Sequence, residues 1–440
     1  MVVVLNRLSI DSQGIAMSQD EREGLLHSKC ALILGVVVVV ILGVTLLALS
    51  GCKSSTPVED GRVDWLEGST DLCVACHRIE TPGIVQQFGY SMMAAAGNTC
   101  RDCHEVQPDH PGAVEHWETF RLAQPTPLIC QECHATKVAQ FYQSRHALPA
   151  YVAMEGTQDL TPEHLAMYES IPEGGFAPDM ERNALFVLEG ADITRFACEG
   201  CHNIGQPKAD GSVGQCQDCH QRHIFSLEQA RRPETCNACH IGPDHPQWEI
   251  YQESGHGIAY ATDGHNWNWE AEPDTLAVSD IPAATCATCH LSAFGGTEAT
   301  HDVGERLTWY LFASISERRP DWQDNQARMQ SVCRECHNDN FITAFYTDAD
   351  KATEAVNAWV AESNSIMAQL RDKGLLTAAP FDEPIDFVFF NLWHHWGRTA
   401  KFGAWMQGPD YTQWHGAYEI LHDLAELRKL ASEKLAEAGE

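Results

Sequence analysis

Three observations predict a mainly α-helical chain with little sheet, a core formed by bound prosthetic groups, and long helices in the carboxy-terminal third. The pentapeptide Cys-x-x-Cys-His recurs eight times. Apolar runs between residues 60 and 340 are short and broken by Gly, Pro, Asn and Asp. Residues 351–376 and 416–440 lack internal Pro and carry apolar residues three or four apart.

The pentapeptides are Cys73, Cys76 and His77; Cys100, Cys103 and His104; Cys130, Cys133 and His134; and Cys198, Cys201 and His202. Four more follow: Cys216, Cys219 and His220; Cys236, Cys239 and His240; Cys286, Cys289 and His290; and Cys333, Cys336 and His337. Two thiols three residues apart reach the two vinyl groups of one haem as thioethers, and the next residue, His, lies under the iron as proximal ligand. Zinc ribbons also use paired Cys-x-x-Cys units, but zinc has no need of His directly after every second Cys. A disulfide framework leaves the His unexplained as well. The motifs therefore predict a multihaem c-type cytochrome with eight covalently attached haems, and they use all but Cys30 and Cys52 of the 18 cysteines.

Haems also account for the broken apolar runs. Such a chain buries little aliphatic surface, and eight porphyrins can take the place of a core. Short helices and loops wrapped round haems are expected over 69–345. A helical region is expected over 346–440, where Ile420, Leu421, Leu424, Leu427 and Leu430 mark a packing or oligomer stripe.

The amino terminus sets the compartment. After a leader at 1–30, residues 31–50 form an uncharged apolar run long enough to cross a bilayer. It ends in Leu49-Ser50-Gly51-Cys52, which resembles a bacterial lipobox, so 31–52 reads as a lipoprotein signal with lipid on Cys52 or as an uncleaved transmembrane anchor. Met17 is an alternative start that would give a more ordinary leader. Residues 53–68 are a polar linker. In either case the haem-bearing part is expected on the periplasmic or extracytoplasmic side of the membrane. The formal net charge of −32 excludes nucleic acid as a partner and suits docking to a basic redox protein, either a cytochrome or a quinone-linked membrane cytochrome.

Of 22 histidines, eight are proximal and His27 precedes the apolar run. The remaining thirteen exceed the eight needed as second axial ligands, so counting does not show whether one iron is left open. His110, His116, His146, His223, His256, His301 and His395 are assigned as second ligands. His164, His245, His265, His394, His415 and His422 make up the rest. Pro-Asp-His-Pro occurs twice, at 108–111 and 243–246, each a few residues after a haem motif. On the residues alone it is a device that presents a His to a haem, with Pro fixing a helix start.

Several segments resemble the octahaem hydroxylamine oxidoreductase family over about residues 70–425. They are Pro243-Asp244-His245-Pro246-Gln247-Trp248-Glu249, Ser254-Gly255-His256-Gly257, His301-Asp302-Val303, Trp393-His394-His395 and Pro409-Asp410-Tyr411-Thr412-Gln413-Trp414-His415-Gly416. The close spacing of Cys198, Cys216 and Cys236 matches the haem arrangement that family shares with pentahaem nitrite reductases. The resemblance implies that the fourth haem, on Cys198, Cys201 and His202, is catalytic and open, with seven low-spin haems relaying electrons. Asp244 and His245 would lie over it as proton acceptors or donors, with Tyr310 nearby. Oxidative members join a tyrosine of a neighbouring subunit to the catalytic porphyrin, which maps to Tyr411 and implies a homotrimer. Two features depart from that pattern: Trp396 stands where an acidic residue is expected, and the stretch from His337 to Tyr411 is short. No site is Cys-x-x-Cys-Lys, which points away from the lysine-ligated nitrite reductases. The first reading is oxidation of hydroxylamine or hydrazine. The alternatives are ammonium-forming reduction of nitrite or hydroxylamine, and a non-catalytic electron conduit.

Overall fold

Capped helix starts present several of the haem motifs. In α1 (Leu72–Glu80) the Asp71 carboxylate accepts from the amides of Cys73 and Val74 at 2.7 and 3.3 Å, starting the helix at the first thiol. Thr99 and Asp102 form a capping box on the short helix Cys100–His104. Thr285 caps Cys286–His290 by accepting from the Thr288 amide. Such a turn puts residues three and four apart on one face, so both thiols and the imidazole project together. The computed structural model describes residues 71–171 and 177–439 of this chain. The leader, apolar run and linker expected at 1–30, 31–52 and 53–68 lie outside them. Among the described residues no helix is long and apolar enough to cross a membrane.

The only sheet among the described residues is small. Its strands β1 (Glu105–Val106), β2 (Val114–His116) and β3 (Thr119–Arg121) pair antiparallel in the order β1-β3-β2, with Val106 opposite Phe120 and Val114 opposite Arg121. Its use is positional, for β2 ends on His116. Helix α2 (Cys198–His202) carries the fourth motif, and α3 (Gln247–Glu253) and α4 (Gly255–Asp263) follow the second Pro-Asp-His-Pro segment.

Long helices close the chain. Helix α5 spans Asp339–Asp372 and buries Ile342, Tyr346, Ala349, Thr353, Val356, Val360, Ser363, Met367 and Leu370, a spacing of three or four that keeps one face inward. After α6 (Pro384–Phe390) come a π-helical turn at Asn391–Trp396, α7 (Gly397–Met406), α8 (Pro409–Thr412), a second π-helical turn at Gln413–Ala417 and α9 (Tyr418–Glu437). Val356, Val360, Leu392, Ala400, Ile420 and Leu424 form one core cluster joining α5, α7 and α9. Truncating the fully buried Leu392 to Ala should cost about 2–5 kcal/mol. Within the expected stripe Leu421 points outward, at 47% exposure, because it falls one residue off the inward face marked by Ile420 and Leu424.

The boundary expected between 345 and 346 falls inside α5, and the described residues belong to one compact unit. The physical reason is the helix itself. It begins beside the eighth motif, where Phe341 stacks on His337 at 4.5 Å, and ends in the aliphatic core with Met367 and Leu370.

Candidate functional site

Imidazoles face one another across the places where haems attach. An iron held by two imidazole nitrogens, each at roughly 2 Å, separates the ring centres by about 6 Å. His77 faces His116 at 6.1 Å, His104 faces His223 at 6.2 Å, and His220 faces His301 at 6.2 Å. His240 faces His146 at 5.9 Å and His337 faces His256 at 6.1 Å. Five of the assigned second ligands thus stand opposite proximal residues of motifs distant in sequence. The proximal rings are also oriented for iron. Nδ1 of His77, His104, His202 and His240 is engaged by Thr81 Oγ1, Leu122 O, Ala150 O and Gln247 Oε1 at 2.8, 2.8, 2.6 and 3.2 Å, which leaves Nε2 for a metal. All sixteen motif thiols are unbridged, and large apolar side chains beside them are exposed, such as Ile79 at 76% and Phe196 at 79%. Porphyrins would cover them. The residues present fit haem.

Thiol contacts order the attachment sites. Cys130 lies in hydrogen-bond contact with Cys216, Cys201 with Cys239, and Cys236 with Cys286. Cys73 and Cys100, Cys103 and Cys130, Cys219 and Cys236, and Cys289 and Cys333 are close enough to feel one another's charge. The sites therefore run one, two, three, five, six, seven, eight, with the fourth joined to the sixth.

His202 of the fourth site faces His245 at 6.2 Å, the same span as the other pairs. What distinguishes His245 is its partner: Nδ1 donates to Asp244 Oδ2 at 2.9 Å. The other oxygen, Oδ1, receives Arg398 Nη1 at 3.1 Å and contacts His394 Nε2. Arg398 Nη1 also lies 2.9 Å from His394 Nε2. That nitrogen cannot both donate to the carboxylate and accept from the guanidinium, and the ionised oxygen is the stronger partner, so Nε2–H donates to Asp244 and Nδ1 keeps the lone pair. Burial pushes the Asp244 carboxyl up, but the hydrogen bonds from His245 and His394 and their charge outweigh it and hold the carboxyl well below the usual range. Burial lowers His394 to about 4 against the pull of Asp244, and lowers His395 as well.

The frame for this cluster is α7. Arg398 Nε donates to Phe312 O at 2.9 Å, Thr399 Oγ1 to Pro243 O at 3.5 Å, and the fully buried Lys401 Nζ to Ala313 O and Ser316 Oγ at 3.0 and 2.8 Å. The Phe312 ring stands 5.2 Å from His245. Two residues before it, Tyr310 has a buried hydroxyl with no hydrogen-bond partner and lies under Arg145 and Arg319 at 5.1 and 5.0 Å. Burial raises its phenol, which Arg145 partly offsets.

Other sequence candidates fall elsewhere. His395 lies beside Asp244 and His394, with Phe390, His394 and Trp396 as its neighbouring rings, rather than opposite a proximal imidazole. Asp244, His394 and His395 could together hold a cation. The Arg398 guanidinium already occupies that place beside Asp244 and His394. His110 gives Nδ1 to Pro111 O at 2.8 Å, and its buried Nε2 makes no hydrogen bond but lies 3.8 Å from Asp210 Oδ2. Tyr411 stacks on its own chain's His415 at 4.9 Å, and its amide donates to Glu253 Oε1 at 3.3 Å. Sequence reasoning missed Arg398 and Lys401 and gave His394 no role in the site. A signal existed in the case of Lys401, a cation on the inward face of a helix between Ala400 and Phe402.

The family described as seven times multi-haem cytochrome CxxCH matches residues 96–384. The chain belongs to this family. The seven motifs from Cys100 to His337 lie within the match, and Cys73–His77 precedes it. A probable nitrite reductase-hydroxylamine oxidoreductase fusion protein of Kuenenia stuttgartiensis is 29% identical over 349 residues, 71% of this chain and 39% of that protein. The chain thus spans about two fifths of that relative's length. A solved hypothetical multiheme protein matches with a TM-score of 0.71 at 21% identity, covering 84% of this chain and 96% of the other. A Kuenenia stuttgartiensis reducing HAO-like protein complex matches with a TM-score of 0.63 at 19% identity, over 84% of this chain and 86% of that one. Fold and relatives are those of multihaem redox proteins resembling hydroxylamine oxidoreductase.

Proposed function

We propose that this multihaem cytochrome is an octahaem oxidoreductase that converts a small nitrogen compound at the haem on Cys198, Cys201 and His202. One observation carries the reading: the imidazole opposite His202 is bonded to a carboxylate that is itself held by a second imidazole and a guanidinium.

The haem would supply an open iron that binds substrate and exchanges electrons with the other seven. The chain's own residues handle protons. With Nδ1–H fixed on Asp244, His245 offers Nε2 as the atom that takes or returns a proton. Asp244 remains ionised and holds the ring in that tautomer. Phe312 covers one side of His245, and Tyr310 adds a neutral phenol that has no competing partner.

Oxidation of hydroxylamine or hydrazine would send protons out through His245. This direction rests on Tyr411 as the residue bonded to a neighbouring subunit's porphyrin in a homotrimer. Reduction of nitrite or hydroxylamine to ammonium would use the same atom as donor. The buried cation Arg398 favours this second reading, and the curated relative is named for both activities. The protein is proposed to work on the extracytoplasmic side, anchored through residues 31–52 or lipid on Cys52, with a cytochrome or quinone-linked membrane cytochrome as redox partner.

Spectra and products test the reading together. One high-spin iron accessible to substrate, with turnover of hydroxylamine or of nitrite plus reductant, supports it. Eight low-spin irons and no product in either assay would leave the electron conduit.

A further inference from the structure

We propose that Arg398 is the specificity-determining residue of the fourth-haem site and makes it a receiver for a small nitrogen oxyanion, nitrite being the simplest. This rests on the functional reading above and names its substrate class.

Donors and acceptors at the site are out of balance. A neutral amine-type substrate offers N–H groups and needs acceptors around it. Both oxygens of the carboxylate at this site already accept, Oδ2 from His245 and Oδ1 from His394 and Arg398. Two acceptors are left over: His245 Nε2, on the side of His202, and His394 Nδ1, on the opposite edge of its ring from the atom facing Asp244 and Arg398. Donors, by contrast, are in surplus. Arg398 has five N–H bonds. Its Nε serves Phe312 O and its Nη1 serves Asp244, while Nη2 has no hydrogen-bond partner among the described residues. The Tyr310 hydroxyl is likewise unpartnered. A ligand rich in acceptor oxygens completes this set, and one rich in N–H does not.

The guanidinium is also built to stay in place. Its side chain is only 13% exposed. It lies between the Phe312 and Trp393 rings, with its central carbon 5.4 and 5.2 Å from their centres, and Phe312 in turn stands against His245. Arginine presents a planar fork that two oxygens of one anion can meet together, and a lysine in its place would act only as a point charge. The Asp244 carboxylate joins this fork to the imidazole that faces His202, taking Arg398 Nη1 on Oδ1 and His245 Nδ1 on Oδ2. Local charge agrees: Arg398 and the buried Lys401 stand against the single carboxylate of Asp244, within a chain of net charge −32. An anionic substrate is drawn to this spot and repelled by most of the remaining surface.

The test compares nitrite with neutral hydroxylamine as ligands of the purified holoprotein, each titrated while the high-spin spectrum is followed, with turnover measured in parallel. Arg398→Gln should weaken nitrite binding roughly 10- to 100-fold, the loss of a charge-assisted contact, and change hydroxylamine binding less than about threefold. Arg398→Lys should fall between wild type and Gln for nitrite. Trp393→Leu, which removes one face of the clamp, should weaken nitrite selectively as well. Haem content is measured on every variant, and if Gln lowers it, the Lys and Leu variants decide. Equal losses for both ligands would reduce Arg398 to a brace for Asp244 and overturn the proposal. So would unchanged nitrite binding, or a wild type that binds hydroxylamine but not nitrite; in that last case the functional reading survives. A wild type that binds neither ligand sinks both.

Discussion

Replacing Asp244 by Asn tests the centre of the proposed mechanism, and its consequences follow from the geometry. The native carboxylate accepts on both oxygens, from His245 on one side and from His394 and Arg398 on the other. An amide has one accepting and one donating end, so it must be wrong on one side. With Nδ2 toward His245, the ring is driven to the opposite tautomer and Nε2 carries the proton where a base is needed. With Nδ2 toward Arg398 and His394, three donors meet and the guanidinium is left buried without its carboxylate. A charge-assisted hydrogen bond is worth about 1.5–3 kcal/mol, and the lower end applies because the Asp244 side chain is 38% exposed. Losing two of three such bonds predicts a stability loss of about 3 kcal/mol. Misplacing the proton predicts a fall in turnover of roughly 10²- to 10⁴-fold. The assay is urea unfolding beside steady-state turnover with hydroxylamine and with nitrite plus reductant, with haem content and low-spin bands checked first. A drop of less than tenfold would refute the proton-handling role. A changed low-spin spectrum in a companion His245→Ala variant would show that His245 is an axial ligand, in keeping with its ligand-like 6.2 Å span to His202.

Four further outcomes are expected. Mass spectrometry should find eight haems per chain, and bound zinc or markedly fewer haems would overturn the cofactor reading. Cys52→Ala should abolish lipid labelling and block processing if Leu49–Cys52 is a lipobox; unchanged mass and membrane retention would leave an uncleaved anchor. Tyr411→Phe should convert a crosslinked, dissociation-resistant oligomer into separable chains on a denaturing gel if the oxidative reading holds, whereas a native protein already running as a haem-stained monomer that only reduces substrate favours the reductive one. Lys401 is lowered to about 7 by burial and by the Arg398 charge, against 10.5 for the free side chain. Between those values the unfolded chain binds the extra proton, so wild-type stability should rise with pH from about 7 to 10, by up to about 1.4 kcal/mol per pH unit. Lys401→Met should flatten that slope in urea midpoints; an unchanged slope would mean the ammonium is not buried as described.

Some of this molecule was legible from residue spacing. Cys-x-x-Cys-His fixes two thiols and an imidazole within one helical turn, so the attachment residues could be named without any knowledge of the fold. The inward spacing of Val356, Val360 and Met367, and of Ile420, Leu424 and Leu427, gave the long helices for the same reason, since a 3.6-residue period is a local property. Which imidazole faces which is not local. His116 reaches His77 from a strand end, and His256 reaches His337 from α4, with no period linking the partners. The two Pro-Asp-His-Pro segments show most plainly where local reading stops. In the first, Asp109 is exposed and His110 gives Nδ1 to Pro111 O. In the second, the same four letters place His245 Nδ1 on Asp244. What separates them is about 150 residues away: His394 on a π-helical turn and Arg398 on α7 take the other oxygen of Asp244 and hold its carboxylate toward His245. Such π-helical turns often occur at functional sites. The motif thus supplies an aspartate and a histidine, and the fold decides whether they act as a pair. For this reason Arg398, which no local pattern marks, is the residue proposed to set the choice of substrate.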